Sequence, residues 1–166
     1  AAGECDVAET CTGASTTCPT DAKKANLTAC TDDGNACSLD RCDGSNVLCQ
    51  HPAGNPGTVC LAAAGECDLA ETCTGSSTTC PADVKKTSGT SCTSDSNVCT
   101  LDQCNGTSDT CQHPAGNAGT VCLAPAGECD LAETCTGSST TCPADVKKSS
   151  GTSCTSDSNV CTLDQC

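Results

Sequence analysis

Cysteine sets the terms on which this chain can fold. Twenty-two of its 166 residues are cysteine, and they recur at a fixed cadence. From Cys60 the successive gaps hold six, five, six and eleven residues, and from Cys92 they hold six, four, six and ten. No gap is shorter than Cys-x4-Cys, as at Cys37–Cys42, Cys99–Cys104 and Cys161–Cys166. Metal-thiolate clusters and redox motifs need closer pairs, so that neighbouring sulfurs reach one ion or each other. The cysteines are therefore expected to form disulfides, which places the chain in an oxidising, extracellular compartment.

Nothing else in the sequence could hold a fold together. There is no Phe, Trp, Tyr or Met, and the large aliphatics amount to nine Leu and eight Val. Burying one contributes ~1.5–3 kcal/mol, against ~1.5 kcal/mol lost for every residue ordered. An ordinary globular enzyme with a hydrophobic core is excluded. Without cross-links, a net charge of -14 and so few apolar side chains would leave the chain disordered. No hydrophobic run approaches the ~18 residues of a membrane span. With no initiator Met and no signal peptide, the sequence reads as a mature product or a window on something longer.

Self-similarity dominates the rest. Gly65–Cys104 and Gly127–Cys166 differ only at Thr87 against Ser149, and the period is 62, as in Cys5, Cys67 and Cys129. Each repeat is itself double. A type A half-unit has its first to fourth cysteines at Cys60, Cys67, Cys73 and Cys80, and a type B half-unit at Cys92, Cys99, Cys104 and Cys111. The domains are then partial type A 1–29, type B 30–59, type A 60–91, type B 92–121, type A 122–153 and partial type B 154–166. The first lacks its first cysteine and the last its fourth, as expected of a segment of a longer array. The expected fold class is a small disulfide-rich tandem repeat array, elongated, with no hydrophobic core and little regular structure beyond single helical turns and short β pieces.

The helical turns are expected between the second and third cysteines. Asp68-Leu69-Ala70-Glu71 and Thr100-Leu101-Asp102-Gln103 place an N-cap oxygen three residues before Glu or Gln. Residues five or six apart in a helix are ~7.5–9 Å apart, too far for a bridge. That reading forbids second-to-third pairing within one half-unit.

Gly65-Glu66-Cys67-Asp68-Leu69-Ala70-Glu71-Thr72-Cys73-Thr74-Gly75 with Cys80-Pro81 resembles the C-terminal half of the disintegrin-like domain of the metalloproteinase-disintegrin family. The type B half, with Asp33-Gly34-Asn35-Ala36-Cys37, resembles the Asp-Gly-Asn-Ala-Cys repeats of secreted myxobacterial-type proteins. The first resemblance implies an adhesion tip around Glu66-Cys67-Asp68, with counterparts at Glu4-Cys5-Asp6 and Glu128-Cys129-Asp130. The sequence has no Arg-Gly-Asp and lacks the family's calcium-binding half.

The same resemblance implies first-to-fourth bonds within half-units, Cys30–Cys49, Cys60–Cys80, Cys92–Cys111 and Cys122–Cys142, with the middle two cysteines reaching neighbours. If second bonds second and third bonds third at alternating junctions, the period doubles from half-unit to repeat. That hypothesis gives Cys5–Cys37, Cys67–Cys99, Cys129–Cys161, Cys42–Cys73 and Cys104–Cys135. It leaves Cys11, Cys18, Cys154 and Cys166 as end or inter-subunit cysteines.

Other chemistry is sparse. His51 and His113 stand without a nucleophile pattern beside them, so they read as turn residues and no catalytic residue is expected. Asp95, Asn97 and Asp102 could offer oxygens to calcium but read first as turn formers, so no metal or other cofactor is expected. Asn26 and Asn105 fit the N-glycosylation sequon. Lys23-Lys24 and its copies are too few among 21 acids for nucleic acid.

The function expected is an extracellular structural rod, fibre or stalk whose partner is itself. The alternatives are a disintegrin-like module binding a receptor and a calcium-binding matrix protein. Full reduction and alkylation should abolish protease resistance. Retention of resistance and native circular dichroism after reduction would refute the dependence on disulfides.

Overall fold

In the computed structural model, which describes Ala1–Cys166, no residue is helical. The expected helical turns fail because their capping groups bond elsewhere. Thr100 Oγ1 donates backwards to Asp95 Oδ1 and the Asn97 carbonyl, and Ser38 does the same to Asp33 and Asn35. Glu71 does not return to an N-cap; its Oε1 accepts from Val84 N, 13 residues on, at 2.9 Å. The segment is drawn into β pairing instead.

Six short strands result: β1 (Asp6–Val7), β2 (Ala22–Lys23), β3 (Val59–Leu61), β4 (Glu71–Thr72), β5 (Val121–Leu123) and β6 (Glu133–Thr134). They form three antiparallel two-stranded pairs, β1–β2, β3–β4 and β5–β6, with Val59↔Thr72 and Val121↔Thr134 in register. Two-stranded ribbons this short are not stable alone in water. Their order has to come from cross-links.

The chain divides into two compact units. One comprises Ala1–Ala64 with Leu69–Val84, the other Gly65–Asp68 with Lys85–Cys166. The first contains the bonds Cys5–Cys42, Cys30–Cys49, Cys37–Cys73 and Cys60–Cys80. The second contains Cys67–Cys104, Cys92–Cys111, Cys99–Cys135, Cys122–Cys142 and Cys129–Cys166. The buried non-polar residues are all cysteines: Cys5, Cys37, Cys42, Cys67, Cys73, Cys99, Cys104 and Cys135. No aliphatic side chain is buried: most are exposed, from Val7 at 41% to Val160 at 99%, and Leu39, Val47 and Leu101 are half-buried. Sulfur fills the place of a hydrophobic core.

Each third cysteine is held by the same pair of backbone hydrogen bonds. Cys73 N donates to the Thr58 carbonyl, and Gly57 N donates to the Cys73 carbonyl; the pattern recurs at Cys42, Cys104, Cys135 and Cys166. The turn that makes it possible needs a left-handed residue. Gly57, Gly89, Gly119 and Gly151 supply it with φ between 83° and 87°, but the first copy has Leu27 at φ 70°. A branched side chain there costs ~1–2 kcal/mol, set against ~0.5–1 kcal/mol of extra chain entropy for glycine. Leu27→Gly should therefore stabilise the oxidised protein by ~0.5–1 kcal/mol, read as a raised thermal midpoint. An unchanged or lowered midpoint would show that Leu27 is unstrained.

Candidate functional site

The junctions between successive half-units are where the recurring side chains of the repeat converge. Every junction bond joins the second cysteine of one half-unit to the third cysteine of the next. These are Cys5–Cys42, Cys37–Cys73, Cys67–Cys104, Cys99–Cys135 and Cys129–Cys166, with Cα–Cα distances of 5.2–5.5 Å. The four remaining bonds join first to fourth cysteine within half-units 30–59, 60–91, 92–121 and 122–153.

This corrects the second-to-second and third-to-third hypothesis. Cys5, Cys67 and Cys129 do not bond Cys37, Cys99 and Cys161, nor do Cys42 and Cys104 bond Cys73 and Cys135. Cys161 is a free thiol and Cys166 is bonded, the reverse of the expectation; Cys11, Cys18 and Cys154 are also free. The reason lies in backbone pairing. A third cysteine is bound to residues that precede its own first cysteine, such as Thr58 for Cys73. A second cysteine accepts from residues further along, as Cys37 does from Gly54 N and Cys67 from Lys86 N. The two cysteines thus belong to different ends of the half-unit, and only a second-to-third bond lets every half-unit make the same join.

Alternation of contacts, not of bond type, accounts for the period of 62. At A-to-B junctions, Cys67 N donates to the Asp109 carbonyl at 2.8 Å. Glu66 Oε1 accepts from Thr93 N and Oγ1, at 2.6 and 2.8 Å. Lys85 pairs with Asp68 at 3.1 Å and with Asp109. Backbone approaches so closely that a Cβ on Gly65 would lie 2.4 Å from the Asp109 carbonyl oxygen. At B-to-A junctions the amide does the work. Asn97 Nδ2 donates to the Thr140 carbonyl at 2.7 Å, and Asn35 to that of Thr78 at 2.9 Å.

These contacts place the residues singled out by sequence. In the tripeptide Glu66-Cys67-Asp68 every side chain is engaged internally, with Asp68 4% exposed, so it is no free tip. Glu4 and Glu128 likewise accept from Thr31 and Thr155, while Asp6 and Asp130 pair with Lys23 and Lys147 at 3.0 Å. The Asp–Lys pair was legible as a constant 17-residue spacing in three copies, which sequence reasoning passed over. Asn26 and Asn105 are exposed, and Asn105 Oδ1 accepts from Thr107 N and Ser108 N.

The histidines are not idle turn residues. His51 Nδ1 lies 2.6 Å from Asp40 Oδ1 and 3.5 Å from Asp33 Oδ2, and His113 Nδ1 lies 2.7 Å from Asp102 and 3.8 Å from Asp95. Asp33, Asp40 and His51 bring one ligand atom each within 4.8 Å of one another, a grouping able to hold a divalent cation. The calcium candidates are occupied as hydrogen-bond acceptors. Asp95 Oδ1 accepts from Asn97 N, Asn97 Oδ1 from Cys99 N, and Asp102 Oδ1 from Asp95 N. The backbone N–H of Asn35 and the Ser38 hydroxyl hold Asp33 below the usual carboxylate range. The Ser94 hydroxyl and His113 do the same for Asp102.

No protein-family model, curated protein or solved structure matches the chain. No helix is long and apolar enough to cross a membrane. The chain is a small, heavily cross-linked, acidic and largely exposed structure.

Hydrogen bonding from Ala126 N, then the Lys147 ammonium, lowers the Asp130 carboxyl to about 2. A carboxyl depressed on folding contributes stability above its unfolded value of ~3.9, and that contribution is lost as pH falls toward the folded value. A carbon-13 NMR titration of Asp130 should find a midpoint about 2, with Ala126 amide protection fading between pH 4 and 2. A midpoint near 3.9 would mean that the pair does not hold in solution.

Proposed function

We propose that this chain is a segment of an extracellular structural protein, a covalently stapled rod, fibre or stalk whose units associate with copies of themselves. The observation that carries this reading is the second-to-third bond repeated at five junctions. Each of the half-units 30–59, 60–91, 92–121 and 122–153 is thereby bonded to the one before and the one after. A chain whose buried non-polar residues are these cysteines resists unravelling because opening one join leaves the next intact. In the chain-entropy relation a loop of 36 or 37 residues corresponds to ~4 kcal/mol and one of 19 or 20 to ~3 kcal/mol, before the overlap of loops is counted. The same bonds support export into an oxidising compartment.

An adhesion role of disintegrin type has less support, because the acids it needs are engaged in junctions. A structural role asks for uniform units, and two of the repeats differ at a single position over 40 residues.

Small-angle scattering of the oxidised protein should give rod-like scattering and a radius of gyration well above the ~15 Å of a compact chain of this length. Reduction should convert it to the scattering of a flexible coil. Compact, globular scattering from the oxidised protein would defeat the rod reading.

A further inference from the structure

The half-units 30–59 and 92–121 each carry one histidine, and each histidine faces two carboxylates. Backbone pairing sets these groups together. Arg41 and Gln50 exchange N–H···O=C bonds at 3.1 Å, which places Asp40, just before Arg41, beside His51, just after Gln50. Gln103 and Gln112 exchange the same pair of bonds and place Asp102 beside His113. The disulfides Cys30–Cys49 and Cys92–Cys111 bring in the second acid, Asp33 or Asp95, from the segment that follows the first cysteine. Ladder and disulfide thus hold the three groups in place before any ligand arrives.

One nitrogen cannot serve both acids. His51 Nδ1 lies 2.6 Å from Asp40 Oδ1 and 3.5 Å from Asp33 Oδ2, and His113 Nδ1 lies 2.7 Å from Asp102 Oδ1 and 3.8 Å from Asp95 Oδ2. A neutral imidazole offers at most one N–H at that nitrogen, and the nearer carboxylate takes it. Asp33 Oδ1 is engaged by Asn35 N and the Ser38 hydroxyl, and Asp95 Oδ1 by Asn97 N and the Thr100 hydroxyl. Each Oδ2 is left turned toward the imidazole nitrogen. A divalent ion satisfies both carboxylates where a single proton cannot. Ligands bound to tetrahedral zinc at ~2.0–2.1 Å stand about 3.3 Å apart, close to the longer separation in each cluster. The shorter hydrogen bond has to open by about 0.7 Å when the metal replaces the proton.

We propose that Asp33 Oδ2, Asp40 Oδ1 and His51 Nδ1 bind one zinc ion, and that Asp95 Oδ2, Asp102 Oδ1 and His113 Nδ1 bind a second. The imidazole nitrogen favours zinc over calcium and magnesium, which take oxygen ligands. The two carboxylates offset the charge of the ion, the imidazole proton sits on Nε2, and a fourth position is left to water. Each site lies within one half-unit and forms whether or not the chain is a rod. The two sites differ in one residue. The Ser94 hydroxyl donates to Asp102, whereas Asp32 holds that position in the first copy and, as a carboxylate, cannot donate. Asp32 instead adds a negative charge beside the first site, which therefore holds zinc more tightly.

The oxidised protein, its free thiols at Cys11, Cys18, Cys154 and Cys161 first blocked with iodoacetamide, should bind two zinc ions in isothermal titration calorimetry, one more tightly than the other. His51→Gln should leave only the weaker site, and His51→Gln with His113→Gln should leave none. Asp40→Asn should weaken the tighter site by more than about tenfold, the least that loss even of an outer-shell partner commonly costs, and leave the other unchanged. Each variant should keep the Cys30–Cys49 and Cys92–Cys111 bonds, so that loss of zinc is not loss of fold. In the unaltered protein, nitrogen-15 NMR should find zinc on Nδ1 of both histidines and the proton on Nε2. Absence of binding, undiminished binding by the double histidine variant, displacement of zinc by millimolar calcium, or zinc on Nε2, where an adventitious ion on an exposed histidine would sit, would overturn the proposal.

Discussion

The bond from a second cysteine to the third cysteine of the next half-unit is the constraint on which everything else here rests. It acts where other proteins use apolar burial. The strands are two or three residues long, the aliphatics lie on the surface, and the acids outnumber the cations threefold. Such a chain has no reason to order itself until loops are closed. Once they are closed, weak local preferences become sufficient. The Asx turns at Asp33, Asp95 and Asp157, the left-handed residue before each first cysteine, and the Asp–Lys pairs have only to select one arrangement among the few a cross-linked chain retains.

The direction of that bond has consequences. Joining unlike cysteines makes the two ends of a half-unit different, so each half-unit relates to its successor by the same connection. Type A and type B half-units then diverge in the contacts around the bond without changing it. Glu66, Lys85 and Asp109 cluster around the A-to-B join, and Asn97 with Thr140 marks the B-to-A join. Two kinds of non-covalent contact on one covalent plan account for a repeat of 62 residues built from halves of 32 and 30.

Much of this was legible in the sequence and some was not. Composition alone excluded a hydrophobic core, because seventeen Leu and Val cannot order this chain whatever the topology. Cysteine spacing marked the half-units. Spacing could not give the junction bonds, because sequence separation says nothing of which end of a unit a thiol belongs to. The capping pattern at Asp68–Glu71 misled for a definite reason. It reads the Glu71 carboxylate as a partner for a nearby N–H, while a donor 13 residues away competes and wins. His51 was missed because its partners lie on the far side of several cysteines, Asp40 beyond two and Asp33 beyond three. The recurrence of all three residue types at the same offsets in His113, Asp95 and Asp102 was the available signal.

Mass-spectrometric mapping of the unreduced protein, digested at acid pH to suppress exchange, tests the central claim most directly. The account requires peptides joined through Cys67–Cys104 and Cys99–Cys135, the second-to-third connection at both kinds of junction. Recovery of Cys67–Cys99 and Cys104–Cys135 in their place would contradict it.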